Sequence, residues 1–260
     1  MVTLNIFKMK NLYLLLIILF VSFNFSYSQP SEGQTIRWHF FKVEKNKMEH
    51  YETVMREYYQ KVAQGWIDNG CQQRWIFRKI IPGATSLSRE FNYMGIDVFP
   101  EGKSNRGQCP PSETGFSDGM AKIMMEILND KDRVYTVELN YVAGYGTGKP
   151  NQFTIYDLTK TFKKDLYKSK HKEFEKLFKK HSSRKGWHAL ERIDPEAWGS
   201  EDWDYVTVNG FDSREDAKNL TNNFPEKTTK MINDKYGPGN EQREIRYRIA
   251  AELITFAGFY

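Results

Sequence analysis

The sequence predicts an α+β fold made of two like βαββαβ halves, and three observations carry that prediction. A stretch of chain recurs: Phe91-Asn92-Tyr93-Met94-Gly95-Ile96-Asp97-Val98-Phe99 returns about 112 residues later as Trp203-Asp204-Tyr205-Val206-Thr207-Val208-Asn209-Gly210-Phe211. Glu138-Leu139-Asn140-Tyr141-Val142-Ala143-Gly144-Tyr145 returns as Glu252-Leu253-Ile254-Thr255-Phe256-Ala257-Gly258-Phe259, and Trp75 as Trp187. A period this long is the size of a small domain, not of a solenoid repeat. Strand and helix signals also follow the same order in both halves. Finally, the strands alternate between two apolar faces, so each sheet needs a cover on both sides.

Thr35 to Val43 is rich in aromatic and β-branched residues and reads as the first strand. From Met48 to about Gln64, Tyr51, Val54, Met55, Tyr58, Tyr59 and Val62 recur at helical spacing; Gly65 and Asp68-Asn69-Gly70 are expected to end that helix. Gln73–Ile81 and Phe91–Phe99 are strands stopped by Pro82-Gly83 and Pro100. A long Gly-, Pro- and Ser-rich loop, Glu101–Thr114, precedes a helix marked by Phe116, Met120, Ile123, Met124, Ile127 and Leu128. Arg133–Val142 is the fourth strand.

The second half repeats this order. Phe153–Leu158 is a strand, and a basic helix follows with Phe162, Leu166, Phe174, Leu177 and Phe178 as its apolar stripe. Trp187–Ile193 and Trp203–Phe211 are strands. Ser213 caps a helix through Asn223, Pro225 interrupts it, and a further helical stretch runs to about Lys235. Glu244–Phe256 is the last strand. Residues 29–145 and 153–260 are the two halves, and 146–152 links them.

In the third strand Met94, Ile96 and Val98 form an aliphatic face, expected under helices. Phe91, Tyr93, Gly95, Asp97 and Phe99 form an aromatic-rich face, and Val206 and Val208 are set against Trp203, Tyr205, Thr207, Asn209 and Phe211 in the same way. The aromatic faces are expected to bury against each other, leaving an enclosed space between the sheets. On element order and duplication the chain resembles the dimeric α+β-barrel superfamily, in the form where two ferredoxin-like halves are fused in one polypeptide. The resemblance implies antiparallel sheets packed face to face with helices outside. Members of the superfamily include cofactor-free oxygenases, haem-degrading and haem-dependent enzymes, isomerases and proteins without known activity.

The first 28 residues read as a signal peptide, with Lys8 and Lys10, an apolar run from Leu12 to Phe23, and Ser26 and Ser28 before a cleavage point at Ser28–Gln29. The start is Met1 or Met9. The chain is then expected to be secreted or periplasmic. Formal charge is +5 and falls to +3 without that segment, too little to point to nucleic acid. Cys71 and Cys109 are the two cysteines, and an oxidising compartment permits a disulfide between them.

Under the aromatic-inward assignment, the chamber holds Trp75, Trp187, Tyr93, Tyr205, Asp97, Asn209 and His39 as ligand-binding candidates. Glu138 and Glu252, at equivalent places on the last strand of each half, are the candidate bases. No cofactor is required. Haem stays an alternative needing an axial histidine on the cavity wall, and no histidine matches a ligand motif. No metal-ligand spacing is present. Gly144-Tyr145-Gly146-Thr147-Gly148-Lys149-Pro150 has the look of a phosphate loop but lacks the first glycine and the final Ser/Thr, so it reads as a linker. The basic helix over 163–180 offers a weak contact for an anionic surface, with a solvated face as the simpler reading. Three functions follow. The lead is a protein binding a small, partly apolar molecule; the alternatives are a cofactor-independent oxygenase or isomerase using a cavity carboxylate, and an interaction protein with a closed core. Either a monomer or a homodimer is compatible with the duplication.

Overall fold

The computed structural model describes residues 30–83, 90–110, 113–194, 202–237 and 239–258, so the expected signal peptide and its cleavage point lie outside the described residues. Among the described residues eight strands form: β1 (Thr35–Lys42), β2 (Arg74–Ile80), β3 (Tyr93–Val98), β4 (Asp132–Tyr145), β5 (Phe153–Thr161), β6 (Gly186–Arg192), β7 (Tyr205–Phe211) and β8 (Arg243–Ala257). They close into one antiparallel barrel in the order β1-β3-β2-β8-β5-β7-β6-β4. Each half supplies four adjacent strands, β4-β1-β3-β2 and β8-β5-β7-β6. Two seams join them. β2 meets β8 from Trp75↔Ala257 to Ile80↔Ala251, and β4 meets β6 from Leu139↔Arg192 to Tyr145↔Trp187. Closure leaves the barrel without a sheet edge. The seams are possible because the last strand of each half is long, 14 residues in β4 and 15 in β8, and pairs on both sides.

Helix α1 runs through Met48–Val54, a π-helical turn Met55–Tyr59 and Gln60–Asp68. It does not stop at Gly65. A glycine costs a helix only about 1 kcal/mol, and Trp66 and Ile67 beyond it pack against the sheet. The second part of α1 crosses a seam. Arg56 Nη1 donates to the Ile254 carbonyl at 2.5 Å, Thr255 Oγ1 to Gln60 Oε1 at 2.8 Å, and Gly258 N to Gln64 Oε1 at 3.1 Å. Helix α2 (Asp118–Asn129) starts at Ser117, whose Oγ accepts from Met120 N. Helix α3 (Lys164–His181) covers the other seam, lying on β4 and β6. Its buried residues are Tyr167, Lys170 and His171; of the expected stripe, Phe174 and Phe178 pack against the sheet, the Phe178 ring 5.1 Å from that of Trp187, while Phe162 precedes the helix and stays exposed. Helix α4 (Arg214–Lys218) is capped by Ser213 as expected but ends at Lys218, well before Asn223; α5 (Glu226–Tyr236) begins after Pro225.

The apolar residues form an inner and an outer layer; along β3 and β7 the assignment reverses the expected one, while Phe91 and Trp203, expected inward, do join the inner cluster. Met94, Ile96, Val98 and Val206 lie in the barrel interior with Trp38 and Tyr156. Tyr93, Trp75 and Phe77 pack under α1, and Tyr205 and Trp187 under α3. The physical reason is on the helices. α1 brings its own rings, so aromatic meets aromatic: Phe77–Tyr93 at 5.2 Å and 17°, Tyr51–Tyr93 at 5.7 Å and 36°. A closed eight-stranded barrel has an interior only wide enough for side chains or one small ligand, and the aliphatic residues of β3 share it with Trp38, Phe40, Tyr141 and Tyr156. Cys71 and Cys109 form a disulfide, which ties the turn after α1 to the loop that follows β3.

Candidate functional site in the barrel

Alternation along β2 places Arg74, Ile76, Arg78 and Ile80 on the inner face, with Trp75 and Phe77 outside. The interior is not filled. A cavity of about 390 Å³ opens at one end, its rim formed by Pro30 and the inter-half segment Gly146–Pro150. The segment read as a linker is therefore the lip of a pocket. Ile36, Trp38, Ile96, Val98, Leu190 and Val208 make the apolar wall, and Trp38 meets Tyr156 edge-on at 5.1 Å. The size and apolar character are those of a small-molecule site.

The polar groups on this wall are mostly cationic or neutral. Arg78 is 3% exposed. Its Nη1 donates to the Asn151 carbonyl at 2.9 Å, while its Nε is buried with no hydrogen-bond partner among the described residues. Burial lowers its pKa, opposed by the Tyr156 phenol beside it; an arginine nonetheless stays charged in proteins. Burial in turn pushes the Tyr156 phenol up. Arg74 also borders the cavity, with Tyr141 beside it, and burial lowers its pKa too. His188 is held down to about 4 by burial and so is a neutral imidazole. Among the described residues that border the cavity, none is aspartate or glutamate. Asn151 owes its place to two glycines: a Cβ on Gly210 or Gly186 would lie 2.0 or 2.7 Å from its Oδ1. Together these groups can orient an anion or stabilise negative charge on an oxygen, but they include no carboxylate base.

The residues singled out from the sequence lie elsewhere. Glu138 sits outside the barrel, ion-paired with Arg37 and one-third exposed, and Glu252 is exposed on β8. Neither borders the cavity, so the expected role of these two as cavity bases is corrected. Their strand neighbours Leu139 and Ala251 take the inward positions. Trp75, Tyr93, Trp187 and Tyr205 are likewise outside, under the helices, and not cavity walls. Tyr93 donates to Glu52 Oε1 at 2.7 Å.

Asp97 and His39 meet on the outer face of the first half. His39 Nε2 is 3.1 Å from Asp97 Oδ2, and its Nδ1 is 3.1 Å from Thr136 Oγ1. Gln72 Nε2 donates to Asp97 Oδ1 at 2.9 Å, and Arg106 Nη2 lies 2.8 Å from the same oxygen. Burial alone would push the Asp97 carboxyl up; the His39 hydrogen bond and the Arg106 charge outweigh it and hold the group below its ordinary value. The space beside this cluster is about 60 Å³, far below a small-molecule site. Asn209 has a similar cluster in the second half. It accepts from Arg184 Nε at 2.6 Å and donates to Asp157 Oδ2 at 3.4 Å, with Arg248 on Asp157 at 2.6 Å. The carboxylate stands on the third strand of the first half (Asp97 on β3) and on the first strand of the second (Asp157 on β5), so the Asp97/Asn209 difference belongs to outer-face charge pairing and not to the cavity. Of the residues that do border it, Arg74, Arg78, Tyr141 and Tyr156 were not singled out. Their signal was the run Arg74-x-Ile76-x-Arg78-x-Ile80, which puts two cations on the same face as two isoleucines.

The five histidines test the haem alternative. His39 is held by Asp97 and Thr136. His50 is exposed and His181 ends α3. His171 is enclosed by Tyr167, Trp187 and Tyr205, with ring centroids at 4.1, 5.5 and 5.8 Å, and burial holds it down to about 3. The His188 ring nitrogens lie beside Gly144 and Gly146. Of the five, His188 borders the barrel cavity, and its Nδ1 is buried with no hydrogen-bond partner among the described residues. Among the described residues, no group of three or more His, Cys, Asp or Glu could hold a metal ion. On α3, Lys164 and Lys168 pair with Glu191 and Lys172 with Glu32, which neutralises part of the basic face.

No protein-family model and no curated protein matches the chain. Solved structures do. A candidate monooxygenase from Lactobacillus acidophilus is 11% identical, over 87% of this chain and 96% of its own, at a TM-score of 0.50. An anthrone oxidase-like protein is 8% identical over 87% and 93%, at 0.47, and a haem-binding protein from Thermus thermophilus is 8% identical over 86% and 92%, at 0.42. At such identities the likeness concerns the fold alone. The chain thus folds as an α+β barrel: two like halves in one polypeptide whose antiparallel sheets close into one eight-stranded barrel with helices outside.

Proposed function

We propose that this protein binds a small, largely apolar molecule inside the barrel, and that it does so after export. The observation that carries the reading is the cavity of about 390 Å³, walled by Ile36, Trp38, Ile96, Val98, Leu190 and Val208 and open at one end. A packed barrel of this size would be filled by side chains; a persistent apolar space marks a ligand site. Export is supported by the leader-like first 28 residues and by the Cys71–Cys109 disulfide, which suits an oxidising compartment. A catalytic reading has less support, because the two carboxylates assigned as bases stand outside the chamber.

The test is titration with a neutral fluorescent naphthylamine probe, on wild type and on Val208→Trp, which fills the cavity. Saturable one-to-one binding, lost in the filled variant while its unfolding temperature is kept, is the expected result. Binding undiminished by Val208→Trp would remove the barrel as the site. N-terminal sequencing of protein from its native host tests export: a mature start near Gln29 is expected, and an intact leader would contradict it.

A further inference from the structure

We infer that the barrel ligand is an anion, an apolar molecule bearing a carboxylate, held by Arg78 with Arg74 nearer the solvent. This rests on the barrel-binding reading and deepens it by naming the class of ligand.

Arg78 is the reason. Its side chain is almost wholly buried, yet among the described residues it makes no ion pair, and its one hydrogen bond goes to a backbone carbonyl. Its Nε is buried and unmatched on the cavity wall. A buried charge without a counter-charge is among the most costly groups a fold can carry, and arginine cannot escape by losing its proton. Elsewhere the same chain answers a buried arginine within itself: Arg192, also buried, lies 2.6 Å from Asp194. Of the two, Arg78 alone faces the cavity, and among the described residues no acidic side chain borders that space. Lys149 on the rim adds positive charge at the entrance.

The guanidinium's planar fork matches a carboxylate's two oxygens. The rest of the wall is aliphatic and aromatic, so the body of the ligand is apolar. Inorganic phosphate or sulfate would satisfy the charge but leave the wall uncovered. The outer Asp97 cluster needs no such ligand, since its cations and its carboxylate already answer each other.

The experiment compares matched pairs by calorimetry: naphthalene-1-carboxylate against 1-naphthalenemethanol, and dodecanoate against dodecanol. In wild type the carboxylate of at least one pair binds tenfold or more tighter than its alcohol, the scale of a hydrogen bond to a charged group. In Arg78→Met that ratio falls to about twofold or less while the alcohol still binds. Arg74→Met, at a less buried site, lowers the ratio less and serves if Arg78→Met does not fold. Equal binding of acid and alcohol in wild type overturns the inference and leaves the barrel-binding reading standing. No binding by any of the four compounds sinks both. Displacement of the carboxylate by millimolar inorganic phosphate would also overturn it, since it would show a plain anion site with no use for the apolar wall.

Discussion

Asp97→Asn tests the account of the outer cluster. Asp97 is 2% exposed and accepts from Gln72 at 2.9 Å, with His39 and Arg106 at 3.1 and 2.8 Å. The amide keeps the shape but removes the charge and turns one acceptor into a donor, so one of the three partners faces a donor unless the His39 ring changes tautomer. Breaking a buried ion pair costs about 3–5 kcal/mol. Arg106 is 27% exposed, so water can reach its guanidinium, and about 2–3 kcal/mol is the expected loss after that discount. In a chain of this size that lowers the unfolding temperature by roughly 4–12 °C. The control is Asp157→Asn in the second half, whose partner Arg248 is 55% exposed and rehydrates freely; its cost should stay within about 1 kcal/mol. Thermal unfolding by circular dichroism at neutral pH reads both. The sign with pH follows from the lowered carboxyl: its contribution is present above the unfolded value of about 3.9 and is lost as pH falls through the folded one. The gap between wild type and Asp97→Asn should therefore close in acid. Equal losses for the two variants, or a gap that widens in acid, would refute the reasoning.

Further predictions concern other parts of the fold. Replacing Cys71 and Cys109 together by alanine opens a loop of sequence separation 38 and should cost about 4 kcal/mol on the chain-entropy scale, read by denaturant unfolding. His171 and His188 are held neutral by burial, down to about 3 and about 4, so the unfolded chain binds more protons than the folded one below about pH 6.5. Each should remove up to about 1.4 kcal/mol of stability per pH unit as pH falls from there towards its folded value, and His171→Phe should flatten that slope. Glu138→Gln and Glu252→Gln, singly or together, should leave probe binding in the barrel unchanged within about twofold and stability within about 1 kcal/mol, because both side chains stand outside it.

The duplication and the element order were legible because the repeat keeps strand register. Tyr93 and Tyr205 start β3 and β7 as equivalents, and Trp75 and Trp187 lie on β2 and β6. Which face turns inward was not legible, and β3 shows why. All six of its residues are buried, and its one charged residue, Asp97, is enclosed on the outer face by His39, Gln72 and Arg106, so in the sequence it passed for a cavity group. Aromatic content was the wrong tie-breaker, since the rings of α1 needed ring partners. That one inversion carried Glu138 and Glu252 into the chamber on paper and left Arg78 out of it. A charged residue in a strand reads as solvent-facing by default, and the default fails where a cavity takes the place of solvent.

The central claim is that the chamber is the one enclosed by the aliphatic faces, with Arg78 on its wall. A crystal structure of the protein grown with naphthalene-1-carboxylate tests it most directly. The account predicts ligand density between Trp38 and Val208, with the carboxylate against the Arg78 guanidinium. Density under α1 beside Trp75 and Tyr93, with the barrel interior closed by side chains, would contradict it.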